Sequence, residues 1–163
     1  MPLETGDRIV AIGSDHAGYR LKERFKVELA GMGYEVRDVG TGSQESCDYP
    51  DFGLAVAEAV GRGEVSKGVL ICGTGAGMAM VANKVPGIRA AACNDAYTAE
   101  YCRLHNDANV LTIGARVVDD ETASRILKIF MESDFTGGLP DGARHNGRLE
   151  KIKAIERKYM KER

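Results

Sequence analysis

Apolar residues along this chain fall into two alternating kinds of cluster. Short runs occupy Ile9–Ile12, Tyr34–Val39, Val69–Ile71, Ile88–Cys93 and Val110–Ile113. Each has strand length, and several are continuously apolar, as strands covered on both faces are. Between them the spacing turns helical: Leu21, Phe25, Leu29 and Met32 recur at +4, +4, +3, and Tyr97, Tyr101 and Leu104 at +4, +3. Ala123, Ile126, Leu127 and Phe130 mark a further helical face. Asp15, Pro50, Asp95 and Asp119 or Asp120 stand where helices start, as carboxylates that accept orphan amides or a proline tolerated in the first turn. Strand–helix alternation repeated five times predicts a doubly wound α/β domain. Its sheet is expected to be five-stranded, parallel and Rossmann-like, in the order 2-1-3-4-5.

Beyond Ser133 the pattern changes. A glycine-rich segment, FTGGLPDGARHNG, precedes a last helix expected from about Arg148 to Lys161, with Leu149, Ile152, Ile155 and Tyr159 as its apolar stripe. The whole chain, 1–163, reads as a single domain whose extra C-terminal helical segment, 143–163, packs on a partner subunit. Residues 151–163 carry six basic and two acidic side chains, the composition of a solvated helix face.

The 163 residues fit one domain, and a net charge of −2 excludes a globally basic nucleic-acid binder. No window reaches the ~18–20 apolar residues of a membrane span. The start, MPLETGDRIV, lacks the layout of a secretory signal. Cys47, Cys72, Cys93 and Cys102 form no zinc-ligand spacing and read as reduced thiols. These features predict a cytoplasmic protein with no membrane and no nucleic-acid partner.

In an open parallel sheet, ligands bind beyond the carboxyl ends of the strands, near the reversal of strand order. Here those ends carry Gly13–Gly18, Cys72–Gly77, Asn94-Asp95 and Gly114–Arg116. The loop Cys72-Gly73-Thr74-Gly75-Ala76-Gly77 alternates glycines and runs into a helix, so its amides and the helix N-terminus can converge on an anion. Met78 breaks the dinucleotide fingerprint, and no Gly-Lys-Ser/Thr follows to make a P-loop. Cys72 opens the cradle, a setting expected to make thiolate available near neutral pH, as nucleophile or as base. Asp15 and His16 supply a carboxylate and an imidazole on the neighbouring strand. Arg144 and Arg148, four apart, can grip a phosphate from one helical face. The set suits proton transfer on a small phosphorylated metabolite.

GSDHAGYRLKE (13–23), ESCDYPDFG (45–53), ICGTGAGMAMVANKVPGIRAA (71–91), LHNDANVLTIGARV (104–117) and ARHNGRLEKI (143–152) together resemble the ribose-5-phosphate isomerase B family, within the wider group that includes galactose-6-phosphate isomerase subunits. The resemblance covers nearly the whole chain in order. It implies reversible conversion of D-ribose 5-phosphate to D-ribulose 5-phosphate, in the pentose phosphate pathway, without metal or organic cofactor. Residue by residue, Cys72 resembles the base that moves a proton between C2 and C1. Gly73, Thr74, Gly75, Ala76 and Gly77 resemble the hole for the enediolate. His105 resembles the acid that opens the furanose ring, and Asp15 assists at sugar oxygens. His16, Arg116, Arg144 and Arg148 resemble phosphate and sugar contacts, and Asn106 a sugar contact. Met78 stands where another branch of the family carries a glutamate, which places this chain with the cysteine branch.

Two departures accompany the likeness. LPDGA (139–143) is an insertion expected to reposition Arg144 and widen the sugar site, which keeps six-carbon phosphates such as allose or galactose 6-phosphate open. Cys47 replaces a more usual aliphatic residue and reads as packing. His105 closes the fourth helix, at the amino ends of the strands, whereas Cys72 lies at the carboxyl ends. One site using both requires a partner subunit, in a homodimer or a dimer of dimers. A sugar-phosphate sensor without catalysis and a nicotinamide-dependent enzyme are the rival readings; a pure sensor has no need of a thiolate.

Overall fold

Residues 8–160 are described by a computed structural model. Five strands, β1 (Ile9–Ser14), β2 (Glu35–Asp38), β3 (Lys67–Cys72), β4 (Ala90–Ala92) and β5 (Val110–Gly114), form one parallel sheet. Six α-helices accompany them: α1 (Tyr19–Gly31), α2 (Tyr49–Gly61), α3 (Ala76–Ala82), α4 (Ala96–Asn106), α5 (Asp120–Glu132) and α6 (Ala143–Met160). The doubly wound α/β architecture with an extra C-terminal helix is therefore present. Among the described residues no helix is long and apolar enough to cross a membrane.

The strand order is β2-β1-β3-β5-β4, so the last two strands exchange places relative to the expected 2-1-3-4-5. The cause lies in their side chains. All five residues of β5 are buried, as an interior strand requires, whereas β4 is three partly exposed alanines suited to an edge. The exchange also dictates where α4 lies. The step from β3 to β4 moves outward and the step from β4 to β5 moves back, so two right-handed crossovers must use opposite faces of the sheet. Accordingly α3 packs with α2 on one face, over Ala11, Leu70, Cys72 and Val110. On the other face α4 packs with α1 and α5, over Val10, Ile12, Val69, Ile71, Leu111 and Ile113. Alternate strand residues thus serve the two layers, the period-2 consequence of a pleated strand.

Local signals read correctly at several helix starts. Asp95 accepts the Thr98 amide at 2.7 Å, and Asp119 accepts the Thr122 amide at 2.7 Å. Pro50 lies in the first turn of α2. Asp15 acts one turn early: its carboxylate accepts the Gly18 amide at 3.1 Å, and α1 begins at Tyr19.

Two helical faces differ from expectation. The buried side of α4 is Ala99, Cys102 and Arg103, while Tyr97 is 68% exposed. Tyr97 instead stacks on Tyr101, with centroids 4.3 Å apart, and Tyr101 meets His105 edge-on at 4.9 Å. Tyrosine tolerates this position because its apolar ring carries a polar tip. The last helix starts at Ala143 rather than Arg148, since His145 and Leu149 both turn inward one turn apart. Its expected end at Lys161 lies outside the described residues. Ile152, Ile155 and Tyr159 are about half exposed, so this chain alone leaves most of the stripe uncovered.

Candidate active site

Register aligns Ser14 with Ile71, and Cys72 with Gly114, so the loops after β1, β3 and β5 meet at one end of the sheet. Because β5 rather than β4 flanks β3, the chain around Arg116 lies directly beside the glycine loop. The Arg116 amide donates to the Gly73 carbonyl at 3.1 Å. Its guanidinium reaches 3.5 Å from the position a Cβ on Gly73 would take.

Cys72 ends β3 and is 5% exposed. Its sulfur accepts the Gly75 amide at 3.2 Å. Gly75 has φ +83° and closes against the Ile113 backbone, with which a Cβ would be in contact at 3.1 Å. That approach and that φ together demand glycine. Around it the loop is fixed by three donors. Thr112 Oγ1 donates to the Gly75 carbonyl at 2.7 Å, Asn94 Nδ2 to the Thr74 carbonyl at 3.0 Å, and the Ala76 amide to Thr74 Oγ1 at 3.2 Å. The Gly114 amide donates to Asn94 Oδ1 at 2.9 Å, so Asn94 staples the loop to the end of β5. Helix α3 is only seven residues long. Its aligned peptide dipoles are correspondingly few, so the helix end adds little to any anion cradle at this loop.

His16 is oriented by a contact that sequence gives no sign of. The Cys47 amide donates to His16 Nδ1 at 3.2 Å, and the Cys47 sulfur lies 3.9 Å from the same nitrogen. With Nδ1 accepting, a neutral His16 carries its proton on Nε2, the nitrogen left to face a ligand. The backbone of Cys47, whatever its side chain packs against, thus sets the His16 ring. Tyr49 also belongs here, its ring 2.8 Å from where a Cβ on Gly77 would stand. Asp15 is buried beside Cys72's strand, its amide donating to the Ile71 carbonyl at 3.3 Å.

The remaining candidates gather elsewhere. His105 and His145 stack at 4.2 Å between centroids, almost parallel. Arg144 donates to the Asp141 carbonyl of the 139–143 segment. His105, Arg144 and His145 share a cavity of about 400 Å³ with Leu139, Pro140 and Asp141. Burial lowers the His145 pKa below the usual imidazole range, helped by His105, Arg144 and Arg148. Asn106 and Arg148 are exposed. The end of α4 is held firmly. Asp107, at φ 45°, takes the buried Arg103 at 2.9 Å and Arg89 at 3.2 Å, and Arg103 also reaches the Ala108 carbonyl at 2.6 Å.

No hydrogen bond or ring contact among the described residues joins these two groups. The fold explains the separation. Asn94 touches the glycine loop just before α4, and His105 lies nine residues along that helix from Ala96. At 1.5 Å per residue this is roughly 14 Å toward the amino ends of the strands.

Comparison with known proteins bears on the family of the chain. Residues 10–152 match the model of the Ribose/Galactose Isomerase family. Ribose-5-phosphate isomerase B of Escherichia coli K12 is 46% identical over 149 residues, 91% of this chain and 97% of that protein. A 4-deoxy-4-sulfo-D-erythrose isomerase of Clostridium sp. MSTE9 is 42% identical, over 90% of this chain and 94% of its own. The solved ribose-5-phosphate isomerase B of Clostridium thermocellum superposes with a TM-score of 0.88 at 52% identity, covering 93% of this chain and 99% of that one. With its sheet, its glycine loop and nearly its full length accounted for by such relatives, the chain belongs to the ribose/galactose isomerase family and is an aldose–ketose isomerase.

Proposed function

We propose that this enzyme interconverts D-ribose 5-phosphate and D-ribulose 5-phosphate by proton transfer through Cys72, in the cytoplasm and without a metal. The observation that carries the reading is the Cys72 sulfur, held by the Gly75 amide inside a loop that Asn94 and Thr112 fix from β5. In the open-chain aldose, the Cys72 thiolate takes the C2 proton, and the electron pair moves onto the C1 oxygen. Amides of Gly73–Gly77 stabilise that enediolate. A proton passes from the C2 hydroxyl to the C1 oxygen, the electron pair left on the C2 oxygen forms the carbonyl there, and C1 takes back the proton held by Cys72, so no atom is gained or lost. Asp15 and Thr74 hold sugar oxygens. His16 and Arg116 hold the phosphorylated end.

His105 protonates the ring oxygen to open the furanose, and it does so from a partner subunit. Arg144, Arg148 and Asn106 reach the sugar phosphate from that same partner. Support for this half of the reading is the roughly 14 Å offset along α4, together with the uncovered stripe on α6. Helix α6 packs on the partner in the same assembly, a homodimer. Mixing inactive Cys72→Ala and His105→Ala proteins tests it. Random exchange gives about a quarter of the wild-type sites if sites are shared, since half the dimers are mixed and each mixed dimer has one intact site. No recovery after exchange shown by mass would overturn it.

The reaction itself is tested by proton NMR of ribose 5-phosphate in deuterated buffer with EDTA. Ribulose 5-phosphate carrying solvent deuterium at C1 is the expected product. A specific observation favours running other sugars beside it: a relative 42% identical is named for a sulfonated four-carbon sugar. Turnover of such a sugar, or of allose or galactose 6-phosphate, with none of ribose 5-phosphate would replace the substrate and keep the chemistry.

A further inference from the structure

Two thiols remain that the isomerisation does not use. Cys93 follows β4 and Cys102 lies on α4, and their sulfurs are 3.7 Å apart, both reduced. Cys93 has no exposure, whereas Cys102 is 8% exposed and lines two cavities. One, of about 300 Å³, is shared with Cys93, Tyr97, Tyr101, His105 and Asn106. The other lies against Ile88, Arg89 and Ile152. Of the pair only Cys102 has exposed surface, so a small oxidant in that cavity meets Cys102 first, with the Cys93 sulfur 3.7 Å away.

We propose that Cys93 and Cys102 form a redox modification site that closes to an intrachain disulfide under a small-molecule disulfide, distinct from the thiol at Cys72. Cys102, as thiolate, attacks one sulfur of the oxidant; that S–S bond breaks and one thiolate leaves with the proton Cys102 gave up. Cys93 then attacks the Cys102 sulfur, and the second thiol leaves with the Cys93 proton. Two protein thiols and one small disulfide become one protein disulfide and two small thiols, the protein losing two electrons and two protons. The sulfurs need to approach by roughly 1.6 Å to reach bonding distance. Acidity favours this order of attack. The hydrogen bond from Cys93 lowers the Cys102 pKa against its burial, with help from the Arg103 charge, and the same bond plus burial raises Cys93.

Closure also touches the end of α4. His105 and Asn106 lie three and four residues beyond Cys102, on the same side of the helix. Resting on the catalytic reading above, oxidation is expected to change turnover by shifting His105. The chemical test does not depend on that reading. Cleavage after Arg89 and Arg103 yields a single peptide, 90–103, that holds both cysteines. Reduced wild-type protein is incubated with excess oxidised glutathione, denatured with N-ethylmaleimide present, digested and weighed.

The expected peptide is lighter by about 2 Da, carries no maleimide, and reverts with dithiothreitol. In Cys93→Ser protein the same treatment leaves glutathione on Cys102, and in Cys102→Ser protein it leaves Cys93 unmodified. Peptide 90–103 carrying two maleimides, while Cys47 in the same sample has taken up glutathione, would overturn the proposal. So would glutathione on Cys93 in Cys102→Ser protein with none on Cys102 in the converse variant. Isomerase rates measured on the oxidised and reduced samples then report separately on His105.

Discussion

Cys72→Ala is expected to lower turnover by about 10²–10⁴-fold, the usual cost of removing a positioned general base, while leaving phosphate affinity nearly unchanged. The sulfur ends β3 among buried neighbours and accepts one amide, from Gly75, so its removal subtracts a proton acceptor without disturbing the anion contacts. In deuterated buffer the variant should also lose incorporation of deuterium at C1. These two readouts fall together only if the same group moves the proton. A folded Cys72→Ala protein with wild-type turnover would remove Cys72 from the chemistry and shift attention to Asp15, the buried carboxylate at the end of β1. Cys72→Ser separates basicity from size: it restores the shape, and with a far weaker base it should remain close to the alanine variant.

The second large effect is expected at a residue that touches no substrate. A Cβ on Gly114 would stand 2.7 Å from three backbone atoms of Thr74, a distance that rigid backbone cannot absorb. Gly114→Ala must therefore push the glycine loop away from β5 and stretch the Asn94 staple. Misaimed loop amides should cost on the order of 10²–10³ in kcat, comparable to losing one donor of an oxyanion hole. Crowding should cost a further 1–3 kcal/mol or so of stability. Gly73→Ala is the internal comparison, because its Cβ would meet only the flexible Arg116 side chain, at 3.5 Å. Its effect on kcat should be clearly smaller. Equal losses in the two variants would mean that loop position, as set by β5, does not govern the rate.

What could be read from the sequence divides along the range of the interactions involved. Asp95 and Asp119 were legible as caps because each acts on an amide three residues away. The glycine loop and its cysteine were legible for the same reason, being one contiguous run. Strand order depends instead on which strand is wrapped by neighbours. The signal existed in the contrast between VLTIG and three alanines, but alternation of elements alone cannot express it. His16 is aimed by a backbone amide from position 47, across 31 residues, and a backbone donor leaves no trace in side-chain identity. Asn94 was visible as the residue after β4, yet its two bonds to Thr74 and Gly114 exist only once β5 lies beside β3. The tyrosines of α4 carried helical spacing but not burial, since apolar periodicity cannot tell a packed ring from a stacked, exposed one. His145 stood among the three histidines without a role until its burial against His105 became apparent.

The interior position of β5 has a consequence for how the chain is made. As it leaves the ribosome, Cys72 and its glycine loop emerge some forty residues before β5 (Val110–Gly114), the strand they lie against. Until then β4 has no sheet neighbour, because β5 is its sole partner in the sheet among the described residues. Thr112 and Gly114, which secure the loop and receive the Asn94 staple, arrive last of all. A nascent chain halted before residue 110 thus exposes a cysteine in an unformed loop and an unpaired edge at β3, the state most open to chaperone capture or mispairing. Maturation of the cradle is tied to synthesis of a segment well downstream, so the chemistry becomes available only when the sheet can close.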